Sequence, residues 1–219
     1  MPAEYALIAA AAVVALVVLT AAIVGVSYLL TLALVCFTAP GVVVHEFAHK
    51  QACDLVGVPV VEVVYFRFRN PPGYVRHHQP ERYRTSFVIS VAPFLVNTVV
   101  AFVAFLGLAW LVSTTGDAGS PAAVLDTLST ASRETLALAG LWGWWGLSVG
   151  MQAFPSTGDA NTLWARSRAE WRQSPVVLLG VPVVLVIYLA NLLSWLWADV
   201  LYALALGVAA FYAIGALGF

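Results

Sequence analysis

His45-Glu46-Phe47-Ala48-His49 places two imidazoles four residues apart with a carboxylate beside the first. On a helix, positions i and i+4 share one face about a turn apart, so both rings can reach a single divalent cation. H-E-x-x-H in a helix is a zinc pattern, and Glu46 is then placed to act as general base on a metal-activated water. Two histidines and a glutamate at the end of an apolar helix are costly unless paired or metal-bound. The alternatives are a chance cluster of interfacial residues, with Glu46 and Lys50 as helix charges, and a structural or transport zinc site.

A catalytic zinc of this kind takes three protein ligands and keeps a fourth position for water. The chain has four histidines. The other two, His77 and His78, are adjacent on an expected strand, where neighbours point to opposite faces, so at most one could easily face the metal. Asp159 is the better candidate, in Phe154-Pro155-Ser156-Thr157-Gly158-Asp159-Ala160-Asn161. The Pro-Ser-Thr-Gly stretch breaks a helix and can turn a carboxylate back toward the bundle. Its competing role is an N-terminal charge on a helix starting near Ser156 or Thr157. Asn97 is a candidate catalytic residue whose amide could donate to a developing oxyanion. Hydrogen bonding between helices explains it equally well. Asn191 reads as structural, and nothing singles out Glu62 beyond a place on a hairpin.

These residues sit in a chain of 219 that is 62% hydrophobic and 10% charged. A soluble domain carries roughly 25% charged residues, so an ordinary soluble globule is excluded and an integral membrane protein expected. A net charge of −1 and the absence of a basic face argue against nucleic acid as a partner. Cys36 and Cys53 are roughly 25 Å apart along one expected helix, too far for a disulfide. The opening segment lacks the basic start and cleavage site of a removed signal peptide.

The expected fold is an all-α integral membrane protein of about six transmembrane helices with a small interfacial β-hairpin. It forms a single membrane-embedded domain over 1–219. The first span is expected at about Tyr5–Val24, with a turn near Gly25–Ser27. The second runs from Tyr28 to about Leu55 and is kinked at Pro40. One long tilted helix through both is the competing reading. Further spans are expected at about Ser86–Val112, Leu136–Met151, Val176–Trp195 and Val200–Leu217, the last two turning at Asp199. The core covers about 28–165 and the C-terminal helical pair about 175–217. Between 58 and 78, β-branched and aromatic runs flank Asn70-Pro71-Pro72-Gly73, a hairpin pattern. Trp142, Trp144 and Trp145 read as an aromatic belt or packing block.

Lys50, Arg67, Arg69, Arg76, Arg82 and Arg84 surround the hairpin, and Arg166, Arg168 and Arg172 follow the fourth span. The segment from Ser113 to Glu134 has Arg133 against Asp117, Asp126 and Glu134. The basic loops are expected to be cytoplasmic, and with six spans both termini lie there too.

In order, these stations resemble the site-2 protease family of intramembrane zinc metalloproteases over roughly Tyr28 to Ala160. His45, Glu46 and His49 match the family's H-E-x-x-H, and Gly73-Tyr74-Val75 is similar to its Gly-Tyr-Val turn. Ala92-Pro93 stands where the family has Gly-Pro, and Asn97 lies one residue further along than the family's asparagine. Asp159 is preceded by Gly158 and followed by Ala160, where the family has Asp-Gly. The resemblance implies Zn2+ bound by His45, His49 and Asp159. It implies peptide-bond hydrolysis in membrane protein or peptide substrates at or within the bilayer, with Glu46 as general base. An unwound substrate could pair with the hairpin by strand addition. The chain has no room for the family's PDZ and CBS modules. A zinc-binding membrane transporter, or a non-catalytic interaction protein that keeps the fold, are the competing functions. No ionisable residue lies deep in the first, fifth or sixth expected spans, which disfavours transport.

Overall fold

The computed structural model describes residues 3–172 and 174–217. Along the chain these form α1 (Ala3–Leu55), β1 (Val60–Val64), β2 (Tyr74–His77), α2 (Tyr83–Thr115), α3 (Pro121–Thr130), α4 (Arg133–Met151), α5 (Thr157–Glu170), α6 (Val181–Leu193) and α7 (Ala198–Ala216). Short 3-10 turns occupy Pro175–Gly180 and Ser194–Leu196. The chain is largely helical with a small antiparallel hairpin, as expected. Its several long apolar helices are those of a multi-pass protein associated with a lipid bilayer.

Four stretches among the described residues are long and apolar enough to cross a membrane, not six: Ala3–Leu55, Tyr83–Thr115, Val177–Leu196 and Ala198–Ala216. The expected turn at Gly25–Ser27 does not form, and α1 runs unbroken through it. One glycine costs a helix only about 1 kcal/mol relative to alanine. The Ser27 carbonyl accepts the Thr31 hydroxyl at 2.8 Å, and an open turn in hydrocarbon would leave backbone groups unpaired. The competing reading, one long helix, is the one that forms. The expected fourth span forms as the 19-residue α4, but it does not reach membrane-spanning hydropathy. Arg133 and Glu134 open it, and four glycines dilute the rest.

The chain divides into two compact bodies, one up to Phe37 and one from Thr38 onward. In the first, most of the large apolar side chains are exposed, Leu16, Leu19 and Ile23 among them. In the second, α2 is central. It buries Ala101, Ala104, Phe105 and Ala109; Gly146 of α4 and Gly207 of α7 lie against Phe105, and Gly150 of α4 lies against Ala101 and against Ala203 of α7. Small residues let helix backbones approach closely where lipid offers no hydrophobic drive. Gly41 of α1 is the extreme case, since a Cβ there would collide with the Ser148 carbonyl. At the start of α2, Tyr83 packs with Ala160 and Leu163 of α5 and Val184 and Ile187 of α6.

The C-terminal pair is not antiparallel. Gly180, before α6, lies against the Tyr83 hydroxyl, and Asn191, near its end, donates to the Pro155 carbonyl at 2.9 Å. Then Tyr202 of α7 meets Thr98 at 2.7 Å, and Gly207 meets Phe105. So α6 and α7 follow α2 in one direction, toward Thr115. Trp197, at φ 64°, makes the break between them. The turn expected at Asp199 is therefore not a reversal: the left-handed Trp197 after a 3-10 turn redirects the chain without turning it back.

The hairpin pairs Val60 with His77, Glu62 with Arg76, Val63 with Val75 and Val64 with Tyr74, with a bulge between Val60 and Glu62. The Arg67 amide donates to the Pro72 carbonyl at 2.7 Å across its loop.

Candidate metal centre

His45 and His49 lie one turn apart on α1, ring centroids 4.9 Å apart. Each ring is oriented by a backbone carbonyl. His45 Nδ1 lies 2.7 Å from the Gln152 oxygen, and His49 Nδ1 lies 2.9 Å from that of Ile89. A carbonyl only accepts, so Nδ1 carries the proton in both rings and Nε2 keeps its lone pair for a cation. Gln152 is available because it follows the last turn of α4, where carbonyls lose their helical partners.

Asp159 comes from α5. It is the N3 residue of a capping box in which Ser156 is the N-cap. Asp159 Oδ2 accepts from the Ser156 amide at 3.0 Å and its hydroxyl at 2.6 Å. The same oxygen lies 3.7 Å from His49 Nε2. Ligand atoms of His45, His49 and Asp159 all fall within 4.8 Å of one another. The helix-terminal role expected for Asp159 is the one its capping box shows, and the same carboxylate lies where it could join His45 and His49 around a metal ion. Two imidazoles and a carboxylate within that span fit a divalent cation such as zinc in the chemistry of their donors. Asn191 anchors the preceding loop through Pro155.

These residues face a cavity of about 490 Å³. Glu46 lies on its wall beside the histidines, and Pro72, Gly73, Tyr74 and His77 bring the hairpin to it. His77, the last residue of β2, faces the cavity and His78, beyond the strand, does not; His77 is not part of the metal cluster. Gly73 rests on Glu46: a Cβ there would lie 2.7 Å from Glu46 Cγ and 2.9 Å from Val42 Cγ1. Asn191, Ser194 and Asp199, flanking the α6–α7 break, supply the far wall. The helix breaks after Met151 and at Trp197 thus both open on the cavity.

Asn97 is fully buried and is not among the cavity-lining residues. Its Nδ2 donates to the carbonyls of Gly41 at 3.2 Å, Val149 at 3.2 Å and Gln152 at 2.9 Å. This brackets α1, α2 and α4, and it holds the same Gln152 carbonyl that orients His45. Of the two roles weighed for Asn97, the geometry is that of the bracket between helices. On the hairpin, Glu62 accepts from the Tyr74 hydroxyl at 2.7 Å and Arg76 at 3.0 Å. The Tyr74 hydrogen bond, joined by Arg76, holds the Glu62 carboxyl below its usual range.

Comparison with known protein families, curated proteins and solved structures finds no match to this chain. What stands is the class: a buried His/His/Asp cluster able to chelate a metal ion, beside apolar helices of membrane length.

Proposed function

We propose that the protein is a membrane-embedded zinc endopeptidase of the site-2 protease type, hydrolysing peptide bonds of membrane protein substrates at or within the bilayer. The observation that carries this reading is the cluster of His45, His49 and Asp159 with Glu46 on the same cavity wall. Zinc held by these three side chains would polarise the scissile carbonyl and acidify a water. Glu46 takes the proton of the attacking water and hands it to the leaving amine nitrogen. Gly73 lets the hairpin backbone pack on Glu46 and restrict that carboxylate. The cavity admits an extended segment, and the hairpin edge offers backbone partners to a peptide that has left its helix. The basic residues around the hairpin support a cytoplasmic position for this face.

Zinc content measured together with proteolysis in a Glu46→Gln protein tests the proposal. An endopeptidase keeps its metal and loses cleavage. A variant that cleaves at the wild-type rate removes Glu46 from the mechanism. Metal transport that survives the substitution assigns the site to a transporter instead.

A further inference from the structure

The histidine tautomers rest on two carbonyls, and the one that serves His49 lies inside a helix. Ile89 belongs to α2, which is helical from Tyr83 to Thr115. Inside a helix, a carbonyl is ordinarily taken by the amide four residues later. Four residues after Ile89 stands Pro93, buried and within the same helix. Proline has no N–H to donate, and its ring pushes against the carbonyl of residue i−4. The Ile89 oxygen is thus released from the helix ladder at the position where His49 Nδ1 meets it at 2.9 Å.

We propose that Pro93 is a positioning residue for the metal centre: by withholding an amide proton it frees the Ile89 carbonyl to fix the ring and tautomer of His49. The inference rests on the reading of His45, His49 and Asp159 as a metal site. It assigns no contact with substrate to Pro93. It accounts for a residue that is otherwise unfavourable in the interior of α2, where it removes a hydrogen bond and disturbs the ladder. A proline kept only to bend α2 would leave metal affinity independent of whether position 93 carries an N–H. A proline kept for His49 makes that N–H the deciding group.

The test is zinc affinity, measured by chelator competition on detergent-purified protein, alongside thermal unfolding of the metal-free protein. Pro93→Ala restores the Ile89–residue 93 helix bond and competes with His49. Zinc affinity should fall about tenfold, the lower end of the range for losing an outer partner of a metal-bound histidine. The metal-free protein should melt at the same or a higher temperature, because a helix-interior proline has been removed. Loss of affinity without loss of stability is a pairing that general damage to the fold does not produce. Lactic acid at position 93, introduced as a backbone ester, also lacks an N–H and should restore wild-type affinity without the ring. Wild-type affinity in Pro93→Ala overturns the inference, as does an ester variant as weak as alanine. Wild-type protein that is folded and takes up no zinc overturns the metal site as well, so the two failures are distinguishable.

Discussion

Replacing Asn97 by alanine should destabilise the protein by about 2–3 kcal/mol while leaving chemistry in the folded molecules nearly intact. The Asn97 amide has two N–H groups directed at three carbonyls, those of Gly41, Val149 and Gln152. Hydrogen bonds between membrane helices are worth on average about 0.6 kcal/mol each, with a maximum near 1.7, so their loss costs about 1–2 kcal/mol. The space vacated in a site with no solvent exposure adds about 1 kcal/mol. For a chain of this size, the sum lowers the melting temperature by roughly 5–10 °C. Thermal unfolding of purified protein in one detergent measures it. Asn97→Asp should be worse, since its ionised carboxylate has no proton to donate and would face three carbonyl oxygens. Cleavage per folded molecule should change little in Asn97→Ala, whereas loss of an oxyanion donor would cost about 100- to 1,000-fold. An unchanged melting temperature with turnover reduced on that scale would refute the bracket and restore Asn97 to the reaction.

If Glu46 is the general base proposed above, Gly73→Ala should retain zinc but lose cleavage by about 10- to 100-fold, because the added Cβ, 2.7 Å from Glu46 Cγ, must displace that carboxylate, and misplacement by about 1 Å can cost 100-fold; metal analysis and initial rates on one preparation check it. Val63→Pro removes an amide from the strand paired with Val75, so cleavage should fall while zinc content holds; normal cleavage of a verified substrate would reduce the hairpin to a seal. Because α7 runs away from the hairpin, cysteines placed at Asn70 and Gly215 should be labelled from opposite sides of the membrane, Asn70 from the cytoplasm. The exposed native Cys36 must be replaced first, and labelling of both positions from one side would contradict the course of α6 and α7.

The candidate metal site was legible in the sequence where it depends on local spacing. H-E-x-x-H needs only a helix, and Asn-Pro-Pro-Gly between β-branched runs needs only a turn. Asp159 was recoverable because Pro155 and Gly158 mark a broken helix, although Ser156 as its capping partner went unremarked. What stayed hidden depends on backbone atoms or on distant pairs. The carbonyls of Gln152 and Ile89 orient the two histidines, and a carbonyl leaves no trace in a sequence. Pro93 was the one available signal, read as part of a motif and not as a missing donor. Gly73 likewise stood out as a turn residue, while its contact with Glu46 requires the folded hairpin. The count of spans failed at Gly25–Ser27 because a lone glycine does not decide between turn and helix inside an apolar run. Helix α3 was not anticipated, though Ser120 before Pro121 is an N-cap followed by a favoured first residue. The direction of α7 turns on one left-handed residue, Trp197, whose type does not announce that conformation.

The central claim, a metal held by His45, His49 and Asp159, is tested most directly by elemental analysis of the purified protein. Wild type, Glu46→Gln, His45→Ala and Asp159→Asn would be compared at equal helicity. Wild-type and Glu46→Gln protein should each carry a single zinc ion per chain, and the two ligand variants should carry almost none. Folded wild-type protein that holds no zinc and takes none up when it is supplied would contradict the account, and so would full zinc content in His45→Ala.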